Sequence, residues 1–134
     1  MVTKEELRKQ MIKPNGGAAG VNVGATPQLV RAIWGEPRST VQIKADHVRW
    51  KYEDVSFWIK AGNVDQIGVS GRYEGKTEDG IGIGSTREAV ERVYGPLEWD
   101  GTWLINRPPF GIGFDFGPSL RGETRVTDIF VFHE

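Results

Sequence analysis

The sequence predicts an α+β fold: two tandem α-β-β-β repeats form one antiparallel sheet with helices on one face, preceded by an N-terminal helix. The first observation is internal: GVNVGATPQLVRAIWG at residues 20–35 returns as GIGIGSTREAVERVYG at residues 80–95. Self-similarity at a fixed offset is a strong architectural signal. The second is that V-x-x-I-x-V begins at Val64 and again at Val126. The 134 residues are predicted to be one domain, 1–134, with the N-terminal helix at 1–14 and repeats at 20–72 and 80–132.

Each repeat is predicted to contain a short extended segment followed by a helix. Thr26 and Thr86 stand where an N-cap hydroxyl can accept from the first helical turn. An apolar stripe at helical spacing follows each threonine. Gly35 and Gly95 come directly after these stripes and precede prolines, the position at which a residue with positive φ ends a helix. We therefore expect both glycines to have positive φ.

The chain begins with a predicted amphipathic helix over residues 3–12. Thr3 and Glu6 have the spacing of a capping box, and Leu7 and Met11 give the helix one apolar side. A Pro-Asn-Gly-Gly segment follows and ends it. The second repeat has no counterpart of this helix, which is therefore predicted to be an addition to the repeats. A polar segment at residues 71–79 is predicted to link the two repeats.

Residues 41–60 predict a β-hairpin that turns at Glu53-Asp54. A two-residue turn fixes the register and places apolar residues on one face and polar residues on the other. On the polar face, Trp58 is predicted to lie opposite Arg49 with Lys60 beside it. The predicted cross-strand pairs are Tyr52–Val55, Trp50–Phe57, Arg49–Trp58 and Val48–Ile59.

The second repeat is predicted to carry apolar residues on both faces of its sheet. If Trp103 and Ile105 face the helices, alternation turns Leu104 to the other side. In the last strand, Ile129 and Val131 are expected to face the helices. Alternation then sends three further residues to the side of Leu104, namely Val126, Phe130 and Phe132.

Composition excludes several classes of function. Seventeen basic and eighteen acidic residues give a net charge of −1, which does not favour nucleic-acid binding. No apolar run is long enough to span a membrane. There is no cysteine, and His47 and His133 do not have metal-ligand spacing. We expect no metal, no cofactor, no catalytic residue and no enzymatic activity, and a cytoplasmic location unless an export signal has been removed ahead of Met1.

The repeat pattern resembles a known family. The motif G-x-T-x-x-x-V-x-x-x-x-G-x-P, an aromatic strand and then V-x-x-I-x-V is similar to the repeat of the β-lactamase inhibitor protein fold, also found in small lipoproteins of outer-membrane assembly. It also resembles repeats of uncharacterised bacterial envelope and sporulation-associated domains. The resemblance covers residues 20–132. It implies a two-repeat sheet, and for the inhibitor family it implies that an acidic residue at the first hairpin tip, here Asp54, can enter an enzyme's active site.

These observations favour a non-enzymatic protein-interaction module that binds through the open sheet face. A binder of small molecules or cell-wall fragments, using the aromatic face, and an inhibitor of a specific enzyme remain as alternatives. The apolar second face is expected to be covered by the N-terminal helix, by a second copy of the chain in a homodimer, or by another protein partner. The candidate protein-binding residues are Trp58, Arg49, Lys60, Leu104, Phe130 and Phe132.

Overall fold

A computed structural model describes residues 2–99, 104–106, 111–118 and 124–133. It shows an α+β fold with a large antiparallel sheet. Three helices are described: α1 (Lys4–Leu7), α2 (Pro27–Trp34) and α3 (Arg87–Tyr94). The strands are β1 (Gly17–Ala18), β2 (Val21–Asn22), β3 (Ser39–Lys44), β4 (His47–Tyr52), β5 (Val55–Lys60), β6 (Asn63–Ser70), β7 (Leu97–Trp99), β8 (Leu104–Asn106), β9 (Ile112–Pro118) and β10 (Thr124–Phe132).

Eight of these strands form one sheet in the order β3-β4-β5-β6-β10-β9-β8-β7. Every described pairing is antiparallel. Each half of the sheet is thus a run of consecutive strands, and the two halves join where β6 pairs with β10. β1 and β2 form a separate small hairpin.

Helices α2 and α3 pack on the same face of the sheet, which we call the inner face. Trp34 of α2 contacts Phe57, and Tyr94 of α3 contacts Phe114, with ring centroids 6.2 and 5.8 Å apart. The registers place Phe57 and Phe114 on one side of the sheet. The buried core therefore fills the space between this side and the helices.

The predicted boundaries of the two repeat helices, α2 and α3, are confirmed. Thr26 Oγ1 accepts from Leu29 N, and Thr86 Oγ1 accepts from Ala89 N, so that each threonine is an N-cap. Gly35 and Gly95 have φ of 79° and 83°. Their ψ values of −162° and −174° lie in a region that is essentially restricted to glycine, rather than in the left-handed helical region.

The predicted first hairpin is confirmed in its register and corrected in its length. All four predicted cross-strand pairs are present. The strand that precedes the turn, however, is not continuous from residue 41. The chain turns at Ala45-Asp46, so β3 and β4 are two antiparallel strands. The second half likewise begins with the unpredicted β7, and each half contributes four strands to the sheet instead of three.

A β-bulge in each half corrects the predicted orientation of Val126. Val64 pairs with Ile59 and Gln66 with Trp58, which leaves Asp65 as the extra residue on β6. On β10, Val126 pairs with Phe116 and Asp128 with Asp115, which leaves Thr127 as the extra residue. A bulge shifts the alternation by one residue. Val126 is therefore buried in the core instead of facing outward.

The N-terminal segment is part of the core. The predicted helix ends at Leu7, and the chain then runs beside residues 74–76, where Glu74 N donates to Arg8 O and Ile12 N donates to Lys76 O. Ile12 is fully buried. Next, the β1–β2 hairpin contacts β6 and β10. Its turn lies on the inner face, because Trp34 Nε1 donates to Ala19 O.

The segment between the halves is also more buried than its polar composition predicts. Tyr73 and Thr77 are 3% and 4% exposed. The Tyr73 hydroxyl accepts from Ala19 N at 2.8 Å and donates to Gln10 O at 2.7 Å. Ile81 lies in a loop instead of the predicted strand, with its N donating to Thr77 Oγ1. The linker and the N-terminal segment thus hold each other in place.

We predict that Gly95→Ala lowers the free energy of unfolding by about 1–3 kcal/mol, the cost of a non-glycine residue in a sparsely populated backbone region. An added Cβ would meet no atom within 4 Å, so the cost is conformational. Gly95→Asn, which tolerates the left-handed helical region, should be no better than alanine here. Chemical denaturation measures both. A Gly95→Ala variant as stable as the parent would contradict the backbone assignment.

We predict that Tyr73→Phe destabilises the fold by about 1–3 kcal/mol, because it leaves Ala19 N buried without its acceptor. Burial raises the pKa of Tyr73 from 10.0 to about 12, against a smaller lowering by the hydrogen bond from Ala19. A raised folded-state pKa favours the neutral phenol, so its contribution is present below pH 10 and is lost as pH rises toward 12. The stability of the parent should therefore fall more steeply over this range than that of Tyr73→Phe. Parallel pH profiles would contradict this.

Candidate functional site

The face opposite the helices, which we call the outer face, carries an aromatic cluster at the junction of the two halves. Trp58 and Phe130 meet edge to face, with ring centroids 6.0 Å apart. The Arg49 guanidinium lies 4.7 Å from the centroid of the Trp58 ring, within cation–π distance. Arg49 Nε also donates to Ser56 Oγ at 3.1 Å. The predicted opposition of Arg49 and Trp58 is thus a direct contact, and Phe130 extends it into the second half.

Gly68 provides the space in which the two rings meet. It lies on β6, paired with Ser56 on one side and Phe130 on the other. A Cβ at this position would lie 2.9 Å from Trp58 Cζ3 and 3.2 Å from Phe130 Cδ1. Sequence reasoning missed Gly68. The signal was available, since a glycine inside a strand marks a close approach by another group.

The remaining predicted binding residues are dispersed. Phe132 stands in the same register row as Trp58, with Gln66 between them, and is half-buried. Lys60 is exposed at the end of β5. Leu104 pairs with Phe114, so the register places position 104 in an inner-face row, and its predicted place beside Phe130 is wrong. Trp103, used in that prediction, lies outside the described residues.

The outer face is positively charged on one side of the aromatic cluster and negatively charged on the other. Arg49 and Lys51 lie on β4. Asp115 of β9 and Asp128 of β10 are a directly opposed cross-strand pair. Burial, and secondarily the negative charge of Asp128, raise the pKa of Asp115. Like charges placed opposite each other repel, so a cation near this pair would be stabilising.

The predicted hairpin tip does not project. Asp54 has φ of 65°, and its carboxylate turns back against Gly71, with Oδ2 3.5 Å from Arg72 Nε. Its neighbour Glu53 pairs with three arginines, Arg8, Arg38 and Arg72. The acidic tip is thus folded onto its own sheet and neutralised.

In the part of the chain that the structure describes, no group of three or more histidine, cysteine, aspartate or glutamate side chains is arranged to hold a metal ion. None of the described helices is long and apolar enough to cross a bilayer.

The fold and the outer face define an α+β domain built on a single antiparallel sheet with one helix-covered side. Among the solved structures that share this fold are two bacterial proteins. An extracellular protein containing a SCP domain from Bacillus anthracis matches 100% of this chain over 50% of its own, with a TM-score of 0.55 and 15% identity. A cysteine-rich secretory protein from Staphylococcus aureus matches 92% of this chain over 47% of its own, with a TM-score of 0.56 and 12% identity.

These comparisons overturn the resemblance seen in the sequence. The structures that share the fold are proteins of the SCP and cysteine-rich secretory class, so the assignment to the β-lactamase inhibitor or assembly-lipoprotein fold is wrong. The glycine, cap and core positions of the motif specify local structure, and different families can share them. This chain spans about half the length of the solved structures that it matches. No family model and no curated protein matches it.

We predict that Gly68→Ala destabilises the domain by about 1–3 kcal/mol, because the added methyl overpacks the rings of Trp58 and Phe130. The control is the same change in a Trp58→Leu background, which removes the nearest ring. A double-mutant cycle on denaturation midpoints should show that the cost of Gly68→Ala falls in that background. Equal costs in both backgrounds would contradict the close ring packing.

Proposed function

We propose that this chain is a non-enzymatic protein-interaction module that binds a protein partner through the outer face of its sheet. The observation that carries the proposal is the cluster of Arg49, Trp58 and Phe130 over Gly68. Tryptophan and arginine are enriched at the energetic centres of protein interfaces. Both helices and the N-terminal segment pack on the inner face, so they do not compete for this surface.

The alternative of a small-molecule or cell-wall-fragment binder has less support. A sugar ring binds an aromatic side chain by stacking on an open ring face. One face of Trp58 already lies under the Arg49 guanidinium, and its benzo edge rests against Gly68. A ligand that stacks on this face would have to displace a charged group that is also hydrogen-bonded to Ser56. Enzyme inhibition rested on Asp54, which is turned back onto the sheet.

The two tyrosines whose pKa rises to about 12 have structural roles, which agrees with a non-enzymatic function. Burial is the main reason that the pKa of Tyr52 and of Tyr73 rises to about 12. Such shifts often mark active sites, but structural groups show them as well. Both hydroxyls form hydrogen bonds with backbone groups. The Tyr52 hydroxyl donates to Gly35 O, and the Tyr73 hydroxyl accepts from Ala19 N and donates to Gln10 O.

We also propose that the two halves are tandem copies of one unit. In support, Gly24 N and Gly84 N donate to the carbonyls of Val64 and Val126, at 2.7 and 2.9 Å. Val64 N and Val126 N in turn donate to Ala25 O and Ser85 O, both at 2.8 Å. In each half, two equivalent backbone hydrogen bonds therefore join the loop before the helix to the bulged strand. Since the two solved structures of similar fold belong to an extracellular protein and a secretory protein, we further propose that this chain acts outside the cytoplasm.

A site-specific photocrosslinker tests the interaction surface. We predict that benzoyl-phenylalanine at Gln66, on the outer face, forms protein adducts in the source organism's lysate or culture medium. The same probe at Gln28, exposed on α2, should not. Trp58→Ser should lower the adduct yield about fivefold, as expected for losing about 1 kcal/mol at an interface centre. Adducts predominantly in the medium would agree with export.

Equal adduct formation from both positions, or a yield unaffected by Trp58→Ser, would contradict the proposal. Circular dichroism of each variant must first show an unchanged fold. Excess unlabelled chain should compete the adducts away, because the binding surface is the same.

A further inference from the structure

We propose that the outer face binds a second copy of this chain, related by a two-fold axis that passes over Gly68. This inference rests on the proposed interaction role and names its partner. It starts from the distribution of charge about the aromatic cluster, with basic residues on one side and the acidic pair on the other.

The register makes Gly68 the midpoint between opposite charges. From Gly68, Arg49 lies two strands away, through β5 to β4, and two residues along the strands in one direction. Asp115 also lies two strands away, through β10 to β9, and two residues along in the opposite direction. A two-fold axis in the plane of the interface, perpendicular to the line from Arg49 to Asp115, therefore places Arg49 of each copy over Asp115 of the other.

The chemistry of the face suits this arrangement. Two-fold interfaces are self-complementary, with each patch used once by both copies. A face with one sign of charge on each side of its centre meets this requirement. A partner of uniform charge would be attracted on one side and repelled on the other. The partner's guanidinium would also relieve the repulsion within the pair of Asp115 and Asp128.

The centre of the face permits close approach. Gly68 and Gly113 flank Phe130 in one register row and carry no side chain to hold two sheets apart. Trp58 and Phe130 lie at opposite sides of the axis position, so aromatic surface of one copy meets aromatic surface of the other.

The size of the patch sets the expected affinity. Strands are about 4.8 Å apart and same-face residues along a strand are about 7 Å apart, so β4 to β9 and three register rows span roughly 20 by 14 Å. Counted on both copies, this flat patch is below the roughly 1,000 Å² of a stable specific interface. A weak dimer is therefore expected, populated at high micromolar concentration.

Sedimentation equilibrium of the intact chain up to about 0.5 mM tests the inference. The parent should approach twice its 14.9 kDa mass. Arg49→Glu and Asp115→Arg should each shift the monomer–dimer equilibrium at least about tenfold toward monomer, because each juxtaposes like charges twice in the dimer. Arg92→Glu, exposed on α3, is the matched charge-reversal control and should dimerise like the parent.

The decisive measurement is recombination. In a mixture of the Arg49→Glu and Asp115→Arg variants, both cross-copy pairs of a mixed dimer become attractive again. The double variant Arg49→Glu with Asp115→Arg should likewise regain homodimers. A parent that stays monomeric at 0.5 mM, or single variants that mixing does not rescue, would overturn the inference. The crosslinking result with other proteins would still decide the proposed function separately.

Discussion

The pairing of β6 with β10 is the interaction on which the rest of the structure depends. Five consecutive residue pairs, from Ser70–Asp128 to Gln66–Phe132, join two four-stranded halves. Without this pairing, β6 and β10 would each be an unpaired edge strand, an arrangement that favours aggregation. The joined sheet offers one continuous inner surface on which both helices pack. The β1–β2 hairpin contacts both joining strands, so the N-terminal segment covers the junction. The described core is therefore common to both halves, although the sheet is built from two runs of strands.

The bulges at Asp65 and Thr127 connect the sheet to the helices. Without them, Val64 and Ile67 would point to opposite faces, since they are an odd number of residues apart. With them, both are buried, as are Val126 and Ile129. The bulge also turns the backbone of Val64 and Val126 toward the preceding loops, where each makes its two bonds. One local irregularity thus serves both packing and helix placement.

The sequence predicted those features that depend on local rules. Threonine caps, terminal glycines and the register of the first hairpin follow from residues within one turn of chain, and they are confirmed. Errors came where a distant part of the chain decides the outcome. The predicted helix included Ile12, but α1 ends earlier. The N–H of Ile12 instead donates to the carbonyl of Lys76, more than sixty residues away. Val126 was predicted to face outward because strict alternation assumes a regular strand. The residues around the bulge at Thr127 do not indicate it in the sequence. At the candidate site, the contact of Arg49 with Trp58 followed from the register. The role of Gly68 required knowledge of which rings meet above it.

The two halves share their inner chemistry and differ on the outer face. Corresponding register positions in the core are apolar in both: Phe57 with Ile67 in one half, Phe114 with Ile129 in the other. The outer positions one residue further along β5 and β9 are Trp58 and Asp115, paired with Gln66 and Asp128 respectively. Inner residues must fill similar spaces under two similar helices, whereas nothing in the packing requires the outer residues to match. As a result, the two sides of the outer face differ in charge. A face with this asymmetry of charge has a preferred orientation for anything that binds to it, which a sheet of identical halves would lack.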